Sequence, residues 1–322
     1  MEEIGNHFKF EEFKGDIYHP TNLLFSSGRN CFRYILRKRS IQKVFLPYFL
    51  CETVAEAAIN ENVEIEFYHI NQSLLPIITK PLNEGEYIYL VNYYGMLTGD
   101  PIRQFLDKYS NVIVDNTHNF FDQNEYSADV IYNFRKYFGI PDGACIVSDL
   151  SSDETIERSR SLNRIIEFVE REESNKFFHY STFQEADQYF HNEELCYISK
   201  FSENHLRGIN YHYVYEIRKN NFGLLHQRLG EYNPLSIGKE LNFMYPLYTE
   251  NGSDLRRYLL ENKIYSLLLW PNIFHNGANE MECRLAQNMV LLPLDQRYGD
   301  LEMSYINSTI DNYMRKQKIL KL

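Results

Sequence analysis

The chain has 322 residues, of which 44% are hydrophobic and 24% charged, and its net charge is −11 with histidine neutral. That length is too great for one small core and suits two packed lobes. An acidic surface disfavours general attachment to nucleic acid or anionic membrane, and no apolar run approaches the roughly 20 residues of a membrane span.

The N-terminal stretch MEEIGNHFKFEEFKGD is charged and has no apolar centre, so it does not read as a secretion signal. A cytoplasmic protein is expected. The five cysteines, Cys31, Cys51, Cys145, Cys196 and Cys283, are odd in number and widely spaced. They argue against a disulfide framework or a zinc site, and three sit among apolar or aromatic neighbours as expected of buried thiols. His118, His179 and His191 show no HExxH-like spacing, so a metal hydrolase is not expected.

In chain order, LFSSGRNCFRYIL offers a polar turn, Ser27-Gly28-Arg29-Asn30, leading into an apolar helix. Strands are expected over 44–46, 63–70, 87–92, 112–115, 130–133 and 144–147, with helices over 52–60 and 102–109 between them. Strands separated by helices of about ten residues imply βαβ units and a mostly parallel sheet. The continuous apolar run VIVD fits a strand buried on both faces. From Ser151 the segment SSDETIERSRSLNRIIEFVEREESNK opens on serine and acidic residues and predicts an amphipathic helix. The aromatic-rich stretch 177–192 resists assignment. A helix over 213–229 follows, then alternating pieces FMYPLY and YSLLLW, then a final helix over 302–315. We expect a large domain over 1–205 and a smaller α+β domain over 206–322.

In an open α/β sheet, ligands bind at the carboxyl ends of the strands. Asp115 ends the run NVIVD, His118 follows in DNTH, and Lys136 lies in the loop that leaves the next strand. Asp115 and Lys136 are therefore able to reach one crevice. This pair suits pyridoxal phosphate (PLP). A lysine amine forms an imine with the cofactor aldehyde and later shuttles a proton. A carboxylate beside the pyridine nitrogen keeps it protonated, so the ring accepts electrons. The phosphate needs backbone N–H donors at a helix N-terminus, which the turn at Gly28 offers. Each element alone is weak, since a strand-ending aspartate is most often a turn residue. Their order and spacing together carry the reading.

That order resembles the DegT/DnrJ/EryC1/StrS group of PLP-dependent sugar aminotransferases. SSGRNCF is similar to the group's phosphate turn, and VFLPYFLCETVAEAAINENVEIEFYHIN to the helix and strand after its VP motif. YLVNYYGMLTGDPIRQFLDKYSNVIVDNTHNF is similar to its aspartate segment, NFRKYFGIPDGACIV to its lysine loop, and LLPLDQRYGDLEMSYI to its C-terminal LPLHP segment. The likeness covers most of the chain and is most specific from Tyr87 to Val147. It implies the type I PLP-transferase fold: a mostly parallel seven-stranded sheet flanked by helices, plus a smaller C-terminal α+β domain. It implies Lys136 as the imine-forming lysine, Asp115 on the pyridine nitrogen, His118 beside the ring, and Ser27, Gly28 and Arg29 around the phosphate.

The departures are specific. Asn133 stands where the group usually has a phosphate-binding serine, and Cys51 where an aromatic often stacks on the ring. Tyr48, Phe49 or Tyr94 would then help to cover it. Val91-Asn92 replaces the group's VH. Asn210, in GINYHY, is similar to an asparagine that reaches the neighbour's phosphate, but its spacing to the next helix favours a structural role. The resemblance implies a homodimer that moves an amino group from an amino acid, glutamate, to a keto sugar nucleotide in surface polysaccharide biosynthesis. Lys136 favours this over the group's dehydratase branch, where histidine replaces the lysine. Two other readings stay open: a PLP-fold binding protein without turnover, and a PLP enzyme acting on a non-sugar keto acid.

Overall fold

The computed structural model describes residues 7–173, 193–238 and 241–319, so His179, His191 and the aromatic stretch 177–192 lie outside the described residues. Seven strands form the central sheet: β1 (Leu24–Phe25), β2 (Lys43–Pro47), β3 (Glu64–Tyr68), β4 (Glu86–Val91), β5 (Val112–Asp115), β6 (Asp129–Asn133) and β7 (Ala144–Val147). Their spatial order is β1-β7-β6-β5-β4-β2-β3. Strands β2 to β6 run parallel, while β7 is antiparallel to both neighbours. The expected mostly parallel seven-stranded α/β sheet is therefore what the chain forms.

The central strands are continuous apolar runs because both faces are covered. All four residues of β5 are buried, and helices α1 (Gly28–Lys38), α2 (Glu52–Asn60) and α3 (Asp100–Lys108) supply the crossovers. This arrangement brings Asn92, Asp115 and Asn133, at the ends of three adjacent parallel strands, to one edge. Strand β1 also ends there, because Phe25 pairs with Ala144 and Ala144 with Asn133. The turn into α1 thus opens on the same edge.

Two expectations are corrected. The helix expected from Ser151 begins at Leu162 and runs to Glu173 as α4. The preceding residues form a turn in which the Asp153 carboxylate accepts from Thr155 N at 3.1 Å. They then pair with a distant segment: Tyr197 N donates to Glu157 O at 2.9 Å and Ser159 N to Tyr197 O at 2.8 Å. Long-range pairing here overrides a local helix-start signal. YSLLLW is not a strand. Only Leu267 forms a bridge, to Leu291, and the partner of β8 (Tyr245–Tyr248) is β9 (Met289–Leu292).

The C-terminal part contains α5 (Lys200–Leu206), α6 (Tyr211–Leu229), α7 (Gly252–Glu261), α8 (Glu280–Asn288) and α9 (Asp300–Ile319). Asn210 caps α6, accepting from Tyr213 N at 3.0 Å, the structural role expected of it. A second apolar core gathers Leu225, Leu229, Tyr245, Leu247, Leu255, Leu259, Leu292 and Ile310, all inaccessible to solvent. At about 1.5–3 kcal/mol for each buried large apolar side chain, this cluster stabilises the C-terminal elements packed around it. The first core nonetheless runs past residue 206 to include Val214, Phe243 and Met289. Among the described residues no helix is long and apolar enough to cross a membrane.

Candidate active site at the carboxyl edge of the sheet

Asp115 is the last residue of β5, opposite Val91 of β4 and Ile131 of β6, and is 7% exposed. Its carboxylate accepts from the Tyr89 hydroxyl at 2.9 Å and from Thr117 N at 3.0 Å. Two donors at fixed positions orient it. Burial beside this anion pushes the Tyr89 phenol well above its ordinary value, so Tyr89 stays a donor.

Lys136 follows β6. Its backbone N donates to Asn133 Oδ1 at 3.2 Å, and its Nζ donates to Thr117 Oγ1 at 3.0 Å. The amine also lies 5.6 Å from the centre of the Phe243 ring. The side chain opens onto the crevice and retains solvent contact. The surrounding protein still disfavours the ammonium form, so the pKa falls below the ordinary lysine value; Asp115 and then Cys51 pull it the other way. Thr117 thus joins the two expected residues, bonding to Asp115 through its amide and to Lys136 through its hydroxyl.

His118 is 3% exposed, and burial, reinforced by nearby Lys136, holds its pKa well below the ordinary histidine value. The neutral ring accepts at Nδ1 from Tyr94 N, 3.3 Å away, which leaves the proton on Nε2. Its plane lies against the Phe243 ring, with centroids 4.3 Å apart and 5° between planes. Trp270 and Tyr94 are also near parallel to it, at 5.9 and 6.1 Å. Both have left-handed backbones, with φ of 58° and 57°. Such conformations cost non-glycine residues about 1–3 kcal/mol and gather at functional sites. Gly95, at φ 81°, follows because a Cβ there would meet His118 O at 3.0 Å.

The turn into α1 completes the edge. Ser27 caps the helix, its hydroxyl accepting from Asn30 N at 3.3 Å. Gly28 and Arg29 are half-buried in the first turn. A Cβ built on Gly28 would lie 3.7 Å from Asn133 Nδ2 and 3.9 Å from Thr117 Cγ2. Gly28, Asn133 and Thr117 therefore border one cradle, and Thr117 holds the Lys136 amine beside it. The Asn133 carbonyl oxygen is engaged by Lys136 N, so its amide donor faces this cradle. Helix N–H groups and an amide donor together suit an anion. Cys51 is the residue before α2, half-buried, with Sγ 3.2 Å from Thr53 Oγ1. Phe49, a residue considered for covering a ring, is buried against Tyr93 and Trp270 instead. Tyr48 stacks on Phe67 and His69.

Thr117, Tyr89, Phe243 and Trp270 were not anticipated as site residues. Thr117 stood between two candidates in DNTH, and its position was signal enough. Phe243 and Trp270 come from loops more than a hundred residues away and carry no local signal. A cavity of about 880 Å³ opens at the opposite, amino edge of the sheet, lined by residues including Arg39, Asp122, Tyr126 and Asp129. There Arg39 pairs with Asp129 at 2.8 Å, and Asp122 accepts from the Asn116 amide at 2.9 Å and the Tyr126 hydroxyl at 2.8 Å. Asp115, His118 and Lys136 lie at the carboxyl edge, which makes that edge the candidate site.

No family model matches the chain, and no curated protein matches it significantly in sequence. Solved structures do match in shape. An aminotransferase of the DegT/DnrJ/EryC1/StrS type from Brucella abortus is 13% identical, with a TM-score of 0.59, over 90% of this chain and 85% of that one. Helicobacter pylori PseC, an aminotransferase involved in pseudoaminic acid biosynthesis, is 12% identical, with a TM-score of 0.63, over 90% and 85%. Spr1654 of Streptococcus pneumoniae in its PLP form is 12% identical, with a TM-score of 0.63, over 96% and 93%. At these identities the shared property is the fold.

Proposed function

We propose that this chain is a PLP-dependent aminotransferase of the DegT/DnrJ/EryC1/StrS type. One observation carries the reading: Lys136 Nζ and the Asp115 carboxylate are joined through Thr117 at the carboxyl edge, beside the cradle at Gly28. The residues fit the cofactor, because the space a Cβ on Gly28 would enter is bordered by an amide donor and a helix N-terminus. The named enzymes among the fold neighbours support the same reading.

When bound, PLP supplies an aldehyde and an electron-accepting ring that carries an amino group from donor to acceptor. The protein's residues would do the rest. Gly28, Arg29, Ser27 and Asn133 would hold the phosphate. Asp115, oriented by Tyr89 and the Thr117 amide, would hold a proton on the pyridine nitrogen. His118 would lie beside the ring, with Nε2–H as its donor. Cys51 would lie near Lys136 on the α2 side. The lowered pKa of Lys136 leaves more unprotonated amine at neutral pH, available as nucleophile and as proton acceptor. The Thr117 hydroxyl would hold that amine in place between proton transfers.

The substrate is, on this reading, an amino acid donor, glutamate, and a keto sugar nucleotide acceptor serving surface polysaccharide assembly. The enzyme would act as a cytoplasmic homodimer, with a large domain over 1–205 and a small one over 206–322. The second apolar core supports that division.

Purified protein incubated with PLP should turn yellow as the cofactor joins a lysine. Borohydride reduction should then fix the cofactor mass on the peptide containing Lys136. Protein that stays colourless, or label on another lysine, would overturn the proposal. Cys51 motivates the second reading, a binder without turnover. Loss of the yellow band on adding glutamate supports the transferase, and a band indifferent to every amino donor supports the binder. Activity confined to non-sugar keto acids would replace the sugar assignment.

A further inference from the structure

The lysine loop is tied to the C-terminal lobe through one buried cation. Arg218, on α6, is 2% exposed. Its Nη1 donates to Asn242 O at 2.6 Å and to Phe243 O at 3.3 Å, and its Nη2 donates to Tyr137 O at 3.3 Å. Its Nε donates to Gln296 Oε1 at 2.9 Å, and Gln296 Nε2 donates in turn to Tyr137 O at 2.6 Å. The guanidinium lies 4.6 Å from the Tyr137 ring centre. Its hydrogen bonds among the described residues all go to carbonyl oxygens.

A buried arginine held in this way is an unusual choice for a purely structural tie, because desolvating a cation is costly and amide-to-carbonyl bonds would do the same work. Here desolvation lowers the Arg218 pKa to about 10, so the charge is retained at neutral pH. The guanidinium's geometry explains the choice. Its planar fork reaches three carbonyls at set angles, which an ammonium does not. The residues it joins matter as well. Tyr137 is next to Lys136, and Phe243 is stacked on His118 and faces the Lys136 amine. Asn242 also reaches the site, donating to Asn119 Oδ1 at 2.7 Å.

We propose that Arg218 is a positioning residue for the reacting amine, setting the gap between Lys136 and the Phe243–His118 stack by clamping the carbonyls of Tyr137, Asn242 and Phe243. The functional meaning of that gap rests on the PLP reading; the clamp does not. Without the fork, the lysine loop and the Phe243 segment separate, the amine becomes more fully hydrated than it already is at the crevice, and it loses its fixed place.

The test uses Arg218→Met and Arg218→Lys in the full chain. In protein without added PLP, the pH dependence of Lys136 acetylation, read by mass spectrometry, reports the amine's own titration. We expect Arg218→Met to move it upward by about one pH unit, with Arg218→Lys recovering little because it keeps the charge and loses the fork. The PLP dissociation constant should rise at least tenfold in both variants. Variants with lowered thermal stability but wild-type Lys136 titration and PLP affinity would overturn the proposal, leaving Arg218 a structural clamp. If wild-type protein binds no PLP, the functional reading fails and the acetylation profile still decides the role of Arg218. Should Arg218→Met not fold, Gln296→Leu removes the 2.6 Å bond to Tyr137 O and the partner of Nε from a partly exposed position. It should move the Lys136 titration in the same direction, and an unchanged profile there would equally overturn the proposal.

Discussion

Gly28→Ala separates the fold from the site with one methyl group. Gly28 is the first residue of α1, where alanine is a good helix former, and its built Cβ meets nothing closer than 3.7 Å. The protein by itself therefore accommodates the methyl in ordinary van der Waals contact. Alanine also restricts the unfolded chain, which raises stability by about 0.4–1 kcal/mol where the native backbone is compatible. The same methyl projects toward Asn133 Nδ2 and Thr117 Cγ2, into the space assigned to the phosphate. Losing one hydrogen bond to a charged group there weakens binding by about 1.5–3 kcal/mol, roughly a ten- to hundredfold rise in dissociation constant. The expected result is thermal stability equal to or above wild type without PLP, with affinity for PLP reduced at least tenfold. Cofactor titration by absorbance and thermal melts with and without PLP provide the readout. Wild-type affinity in Gly28→Ala would refute the placement of the phosphate. A large loss of stability without PLP would instead show that the methyl does not fit.

Other outcomes follow from the same geometry. Thr117→Val keeps the shape and removes the acceptor for Lys136 Nζ; the half-reaction with an amino donor should slow about tenfold, the worth of one hydrogen bond, and an unchanged rate would remove Thr117 from the mechanism. Tyr89→Phe leaves Asp115 with the Thr117 amide alone, so cofactor affinity should fall several-fold with little effect on helix or sheet content, and unaltered affinity would count against Asp115 as the ring-nitrogen partner. His19 is buried, with its Nε2 2.7 Å from Phe120 O and its ring stacked on Tyr132, and its pKa is lowered to about 4. The folded state resists protonation that the unfolded chain accepts below about 6.5, so stability should be full above that pH and fall by up to about 3 kcal/mol as pH drops toward 4; a His19→Gln variant with the same pH slope would refute this. Glu282, inaccessible to solvent, joins α8 to the end of β3 by accepting from Ile70 N at 2.9 Å and Asn279 N at 2.8 Å and pairing with His69 Nδ1 at 2.9 Å. Glu282→Gln should lower stability by about 1.5–3 kcal/mol, and an unchanged melting temperature would show that the carboxylate's charge is not needed.

Local pattern determined much of this molecule. The limits of α2, β5 and β7 follow from short apolar or helical runs bounded by polar residues, because a strand buried on both faces needs such a run and little else. Asp115, His118, Asn133, Lys136 and the turn at Gly28 were legible for the same reason: each is a polar residue at the end of a strand or the start of a helix, and parallel strands send those ends to one edge. Tertiary structure decided the rest. The segment after Ser151 carries a good helix start, yet a turn at Asp153 and pairing with Tyr197 keep it out of a helix until Leu162. Trp270 and Phe243 reach His118 from loops whose own sequence says nothing about a site, and Arg218 sits on a helix whose pattern does not mark it as buried. Contacts across such separations come from the summed packing of the two apolar cores, and no local spacing encodes them.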